Sequence, residues 1–290
     1  MRGRKQRFVA ATDFSRDAGY ACRRAALLAA EHGARLELLH VVDKAPLERL
    51  RQAFRTKPAR VDNLVGALRH TLSQAASALA RKTGASIEAR VEIGAVQDVI
   101  ALECRRADLV VVGARGTNPL RDAILGTTAE RLLGKCLRPA LVVKRPPERA
   151  YARALVAMDF STPAERALRA ALRLAPEAAF TAVHAYDLPF EGKLRLAGVD
   201  DETVDAYRLQ AARKAIAAIR ALGEKTGAHL AHAVYRGHPP HLILEKERTL
   251  HCDLIVLGKA KRSVAKELFL GSVSRHVLAD CRSDVLVVPG

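Results

Sequence analysis

The chain repeats itself, and this limits its fold more than any other feature. Phe8-Val9-Ala10-Ala11-Thr12-Asp13-Phe14-Ser15 returns as Leu155-Val156-Ala157-Met158-Asp159-Phe160-Ser161, at an offset of 146. Ala107-Asp108-Leu109-Val110-Val111-Val112-Gly113 returns as Cys252-Asp253-Leu254-Ile255-Val256-Leu257-Gly258 at an offset of 145. At the same offset, Gly126-Thr127 returns as Gly271-Ser272, and Ala140-Leu141-Val142-Val143 as Val285-Leu286-Val287-Val288. Four matched segments at a nearly constant offset in 290 residues indicate tandem duplication of a domain. The copies span 1–145 and 146–290, and Arg145-Pro146-Pro147-Glu148 is the linker.

Within each copy, short apolar runs alternate with amphipathic stretches. The first copy predicts strands at Phe8–Thr12, Leu36–Val42, Ile87–Ile93, Leu109–Val112 and Ala140–Lys144, buried on both faces. Helices are expected at Ala18–Glu31, ended by Gly33, at Val61–Lys82, ended by Gly84, at Val96–Arg106 and at Thr128–Lys135. The second copy places strands near Ala154–Met158, Ala179–Tyr186, His229–Tyr235, Leu254–Leu257 and Val285–Val288. Strands that alternate with helices form parallel βαβ crossovers, so the fold class is α/β with two doubly wound domains. Such sheets bind ligands beyond the carboxyl ends of their strands, where the strand order reverses. Those places follow Asp13 and Gly113 in the first copy, and Asp159 and Gly258 in the second.

The net charge of +17 is uneven, about +13 in residues 1–145 and +4 in 146–290, a field that favours anionic partners. Phe and Tyr total 12 and Trp is absent, which leaves little material for stacking nucleic-acid bases. The basic residues Lys44, Arg49, Arg51, Arg55, Lys57 and Arg60 mark the connection after the second strand as a solvated loop or helix. No run approaches the ~18 apolar residues of a membrane span. The basic start is followed by an apolar stretch of only Phe8 to Ala11, too short for a signal peptide, so the expected location is cytoplasmic. Five scattered cysteines without a C-x-x-C pair then read as reduced thiols.

After its fourth strand the first copy reads Gly113-Ala114-Arg115-Gly116, nine residues, then Gly126-Thr127-Thr128. Glycines there accept positive φ and let backbone amides approach a ligand. A helix opening at Gly126 offers its first N–H groups and the Thr127 hydroxyl to phosphate oxygens. An ordinary glycine-rich turn followed by an N-cap is the bland alternative.

A short α/β domain with Val-Ala-x-Asp-x-Ser on its first strand and Gly-x2-Gly-x9-Gly-[Ser/Thr] after its fourth resembles the universal stress protein family in its tandem form. The resemblance covers essentially the whole chain, and it implies five-stranded parallel sheets of order 3-2-1-4-5. It also implies that Asp13 and the backbone near Val41 sit by adenine and ribose, and that Gly113 lies near the ribose. Gly116, Gly126, Thr127 and Thr128 would then hold the phosphates of ATP, ADP or AMP, with Mg accompanying the nucleotide. The implied role is stress survival and signalling, with domains pairing through their fifth strands within one chain or across a homodimer.

The second copy departs from this pattern. It reads Gly258-Lys259-Ala260-Lys261, nine residues, then Gly271-Ser272, so Lys261 replaces the second glycine. A weaker or altered site at Asp159, Gly258, Gly271 and Ser272 is expected, with Lys259, Lys261 and Arg262 able to attract an anion. The histidines His229, His232, His238, His241 and His251 lack ligand geometry: His229 and His232 are three apart on a predicted strand and face opposite sides. No metal site and no catalytic residue is assigned; at most a slow ATPase is expected. No Gly-x4-Gly-Lys-[Ser/Thr] or Gly-x-Ser-x-Gly segment occurs. The alternative function is a basic interaction protein that binds nucleic acid or an anionic membrane surface without nucleotide. A third reading, adenylate formation or sulfur transfer, lacks its pyrophosphate loop and its paired catalytic cysteines.

Overall fold

The computed structural model describes residues 4–53, 58–116, 127–186, 196–197, 199–259 and 270–290. The chain divides into two compact units. The first holds the chain up to Ala150 together with the closing strand, and the second holds the chain from Tyr151 through Ser283 apart from residues 261–270.

In the first unit β1 (Arg7–Ala11), β2 (Arg35–Asp43), β3 (Ser86–Gly94), β4 (Leu109–Gly113) and β5 (Ala140–Val143) lie in the order β3-β2-β1-β4-β5, all parallel. The connections are α1 (Arg16–His32), α2 (Lys44–Ala53), α3 (Pro58–Thr83), α4 (Val96–Arg106) and α5 (Thr127–Lys135). In the second unit β6 (Arg153–Ala157), β7 (Ala179–Tyr186), β8 (Leu230–Arg236) and β9 (Leu254–Lys259) take the order β9-β6-β7-β8. Their connections are α6 (Thr162–Leu174), α7 (Asp201–Thr226), α8 (Pro239–Thr249) and α9 (Ser272–Asp280). The expected doubly wound α/β class and its 3-2-1-4-5 order therefore appear in the first unit, and the 3-2-1-4 part of that order in the second.

Local signals set the boundaries. Ser15 caps α1, and Gly33 ends it at φ 58° with its N–H on the Ala29 and Ala30 carbonyls. Gly84 ends α3 at φ 74° in the same way. The central strands β1, β4 and β5 are buried as expected, but β3 and β8 are largely half-buried or exposed. Among the described residues each pairs with one strand, β3 with β2 and β8 with β7, and so is the outer strand of its unit. The basic stretch after β2 is helical: Lys44 and Arg49 are exposed on α2, which buries Leu47. Arg55 and Lys57 lie outside the described residues.

The repeated Ala/Cys-Asp-Leu segment has a structural use. Asp108, at the start of β4, accepts the Arg7 amide at 2.8 Å, and its own N–H donates to the Arg7 carbonyl. Asp253 does the same for β6, accepting the Ala152 and Arg153 amides at 2.8 and 3.0 Å. Both aspartates fix strand register at the amino end of the sheet, opposite the ligand end.

Beside Asp108, a charged network joins β1, β2, β3 and α4. Glu103 is buried, and its two oxygens meet Arg7 at 2.7 Å and Arg90 at 2.6 Å. Both arginines also reach Glu37, and Arg90 pairs with Glu92 as well. Burial pushes the Glu103 carboxyl up, but hydrogen bonds and charges from Arg90 and Arg7 outweigh it and hold the group below the ordinary carboxylate range. A depressed folded-state value means that the contribution is complete above the ordinary Glu range and is lost as pH falls through the folded value. Glu103→Gln should therefore cost about 2–4 kcal/mol at neutral pH. Thermal melts of wild type and variant should draw together as pH falls below the ordinary Glu range. A constant difference between them down to pH 3 would refute this.

The closing strand, β10 (Asp284–Pro289), runs antiparallel to β5, with Val285, Leu286 and Val287 opposite Val142, Leu141 and Ala140. Asp284 anchors it: one carboxylate oxygen accepts the Lys144 amide at 2.9 Å, and the other meets Arg24 Nε of α1 at 3.3 Å. Arg24 also donates to the Arg149 carbonyl at 2.7 Å, and both side chains are buried.

One cysteine expectation is corrected. Cys104 of α4 and Cys136, just after α5, form a disulfide with Cα atoms 4.8 Å apart. They are 32 residues apart in sequence, and packing of α4 against α5 brings them together, which spacing alone does not show. Cys22, Cys252 and Cys281 are buried and stand outside any disulfide. Burial pushes the Cys22 and Cys252 thiols up to about 12, so neither is a nucleophile at neutral pH.

Candidate functional site

The strand order reverses at β1, which has β2 on one side and β4 on the other. At its carboxyl end the Thr12 amide extends the ladder to the Leu39 carbonyl. Asp13 Oδ1 then accepts the Ser15 amide at 3.0 Å, and Ser15 Oγ accepts the Ala18 amide at 3.3 Å as the cap of α1. Between them Phe14 holds φ 63°, a left-handed backbone that is strained for a bulky residue. Its ring packs on His40 of β2, with centroids 4.6 Å apart. His40 Nδ1 lies 2.8 Å from the Thr12 carbonyl; a carbonyl only accepts, so Nδ1 carries the hydrogen. Val41 follows His40 near the carboxyl end of β2, opposite Glu92 of β3.

The second unit repeats every part of this turn. Asp159 Oδ1 accepts the Ser161 amide at 3.0 Å and the Ser161 hydroxyl at 2.5 Å, and Ser161 caps α6. Phe160 holds φ 60° and packs on His184 at 4.7 Å, and His184 Nδ1 lies 2.7 Å from the Met158 carbonyl. The histidine–phenylalanine pairs were missed in the sequence. The signal was there: Phe14 and Phe160 both follow the repeated Asp, and His40 and His184 are 144 residues apart.

The first glycine of each motif proves to have a packing role. Gly113 closes β4, where a Cβ would lie 2.7 Å from the Ala18 nitrogen and from the Asp17 carbonyl carbon. At Gly258 a Cβ would lie 2.6 Å from the Ala164 nitrogen and from the Pro163 carbonyl carbon. Both glycines let the first turn of a helix, α1 or α6, close onto the end of the fourth strand of its copy. Close backbone approach is the reason for glycine here, and the neighbour approached is the chain itself.

Gly116 is half-buried three residues beyond β4. Gly126 lies outside the described residues, and Thr127 and Thr128 open the backbone of α5. The matching part of the second unit is described more fully. Gly271 is the N-cap of α9, and among the described residues a Cβ there would meet nothing within 4 Å. Ser272 follows, exposed. A helix N-terminus capped by glycine leaves its first backbone N–H groups to an acceptor such as a phosphate oxygen. By contrast Ser15 and Ser161 cap α1 and α6 with their side chains. Lys261 and Arg262 lie outside the described residues. A cavity of about 470 Å³ opens at the carboxyl ends of β7 and β8, lined by Ala185, Arg236, Gly237, His238 and Pro239. Ala185 follows His184 as Val41 follows His40. Among the described residues no three His, Cys, Asp or Glu side chains come together to hold a metal ion, and no helix is long and apolar enough to cross a membrane.

Comparison with known proteins identifies the class. The sequence profile of the universal stress protein family matches residues 5–144 and again 150–289, so the chain belongs to that family and carries two of its domains in tandem. Universal stress protein E of Escherichia coli K12 is 29% identical over 195 residues, 62% of this chain and 60% of that protein. Universal stress protein E of Salmonella typhi is 30% identical over 207 residues, 67% of this chain and 63% of that protein. The matched stretch thus spans about 60% of the length of these curated relatives. A crystal structure of a universal stress protein from Archaeoglobus fulgidus aligns over 98% of both chains, with a TM-score of 0.66 at 19% identity, a likeness of fold.

Proposed function

We propose that the chain is an ATP-binding regulatory protein of the stress response, with one nucleotide held by its first half. The observation that carries this reading is the Gly-x2-Gly-x9-Gly-Thr motif, which begins at the β4 tip beside the Asp13 turn in a chain of this family. Asp13 and the backbone at Val41 face adenine and ribose, with Gly113 near the ribose. Gly116, Gly126, Thr127 and Thr128 hold the phosphates, and ADP or AMP would use the same groups. The α5 amides supply a positive dipole end to the phosphates, and Mg would accompany a triphosphate. In the second half Asp159, Gly258, Gly271 and Ser272 form a weaker anion site. The glycine-capped start of α9 supports the fit, because it is the duplicate of the α5 start. The functional domains are 1–145 and 146–290, paired through their fifth strands within the chain or in a homodimer that works in the cytoplasm.

The role is regulatory binding, with hydrolysis slow at most. Asp13 Oδ1 is engaged by the turn that caps α1, and no other residue is assigned as a base for activating water. Replacing Gly116 by Val tests the site. Calorimetric titration with ATP should show at least a hundredfold loss of affinity, with the melting temperature within a few degrees of wild type. Unchanged affinity would sink the assignment.

A further inference from the structure

The Cys104–Cys136 disulfide occupies a particular place in the first unit. It joins the carboxyl half of α4 to the residue that follows α5. The ring of chain it closes contains Gly113, Gly116 and the whole of α5. The helix is only nine residues long, and Ala129, Leu132 and Leu133 are its buried apolar side chains among those described. A helix this short is marginal without tertiary restraint. The disulfide is its covalent restraint, placed at the end opposite its N-terminal amides.

The second unit makes the same connection by other means. Cys136 corresponds to Cys281, but α4 and α8 are both eleven residues long and Glu247 stands in the helix where Cys104 does, so no disulfide can form there. Instead, buried Glu247 of α8 uses Oε1 to accept the Arg282 amide at 2.7 Å, the Ser283 amide at 2.6 Å and the Ser283 hydroxyl at 2.7 Å. In both units the helix before the fourth strand is thereby tied to the segment after the helix that follows that strand. One tie is a carboxylate with three hydrogen bonds, and the other is a bond that reductants cleave.

We propose that Cys104–Cys136 is a reversible redox site that sets the order of α5, and through it the affinity of the first half for its phosphate ligand. The second part of this rests on the nucleotide reading above. The reductant is a low-molecular-weight or protein thiol. Its thiolate attacks one sulfur and forms a mixed disulfide, releasing the other cysteine as a thiolate that takes a proton. A second reductant thiolate then resolves the mixed disulfide. Two electrons and two protons pass to the protein, giving thiols at Cys104 and Cys136, while the reductant leaves as its own disulfide. Cys104 is 0% and Cys136 2% exposed, so attack requires α5 to lift, and the oxidised form resists casual reduction. The second half has no corresponding bond and stays insensitive. A stress protein built this way reports oxidation through one copy only.

The test is hydrogen exchange of the full chain, followed by mass spectrometry, with and without a phosphine reductant. Peptides covering 127–135 should exchange at least tenfold faster after reduction, whereas peptides covering 272–280 should not change. A Cys104→Ser, Cys136→Ser double variant should match reduced wild type; should it fail to fold, reduction of the wild type is sufficient. Protein purified without reductant should show three free thiols of five on denaturation. Equal protection of 127–135 in both forms, or five free thiols in protein purified aerobically, would overturn the proposal. ATP titration of both forms should give at least fivefold tighter binding when oxidised. Binding in neither form would remove the nucleotide reading while the exchange difference stands, and equal binding in both would overturn the link to affinity.

Discussion

Asp284→Ala is expected to be among the most damaging single substitutions in the chain, costing about 3–5 kcal/mol. Asp284 and Arg24 are buried together, and removing the carboxylate takes the counter-charge from a buried guanidinium and an acceptor from the Lys144 amide. The loss should fall on β10, because Asp284 is its first residue and joins it to α1 and to the end of β5. Urea unfolding would give the size of the effect, and exchange of the Val285 to Val287 amides would locate it. The Asn variant keeps the shape and one acceptor and should lose less. A loss under 1 kcal/mol for Ala would mean that the pair is not needed to seat the strand.

Gly113→Val should be comparably severe, for a reason of geometry. Even a Cβ would sit 2.7 Å from backbone atoms of the first turn of α1, and backbone there cannot turn aside as a side chain can. Either α1 moves off β4 or the strand end shifts, with a cost of about 3 kcal/mol or more. The prediction differs in kind from that for Gly116→Val, which should spare stability and abolish binding. If Gly113→Val folded as well as wild type, the close approach of β4 to α1 would not be a constraint, and the first motif glycine would need another explanation.

These two glycines show how far the sequence was legible. The spacing of the motif marked the end of the fourth strand in the first copy, and the duplication marked the same strand end in the second. The work of Gly113 could not be read, because it depends on a helix nearly a hundred residues earlier closing onto β4. The same holds for Cys104 and Cys136, whose pairing depends on the approach of α4 to α5. Strand and helix positions were legible because apolar runs and glycine stops are local signals: Gly33 and Gly84 end α1 and α3 where expected. The exposure of β3 and β8 was not, since their apolar runs resemble those of central strands and only the strand order makes them outer. The Phe14–His40 contact needed the pairing of β1 with β2, although Phe14 stands in a repeated segment and His184 follows His40 at nearly the same offset.

The most direct test of the account is the number and strength of nucleotide sites per chain. Isothermal titration of oxidised full-length protein with ATP should give one tight site, lost in the Gly116→Val variant and kept in a Gly271→Val variant of the second half. Lys261 stands where the first half has Gly116, and a side chain at that position opposes the close approach of backbone amides to phosphate that glycine permits. Two equivalent sites per chain, or a single site that survives Gly116→Val, would contradict the assignment of nucleotide binding to the first half.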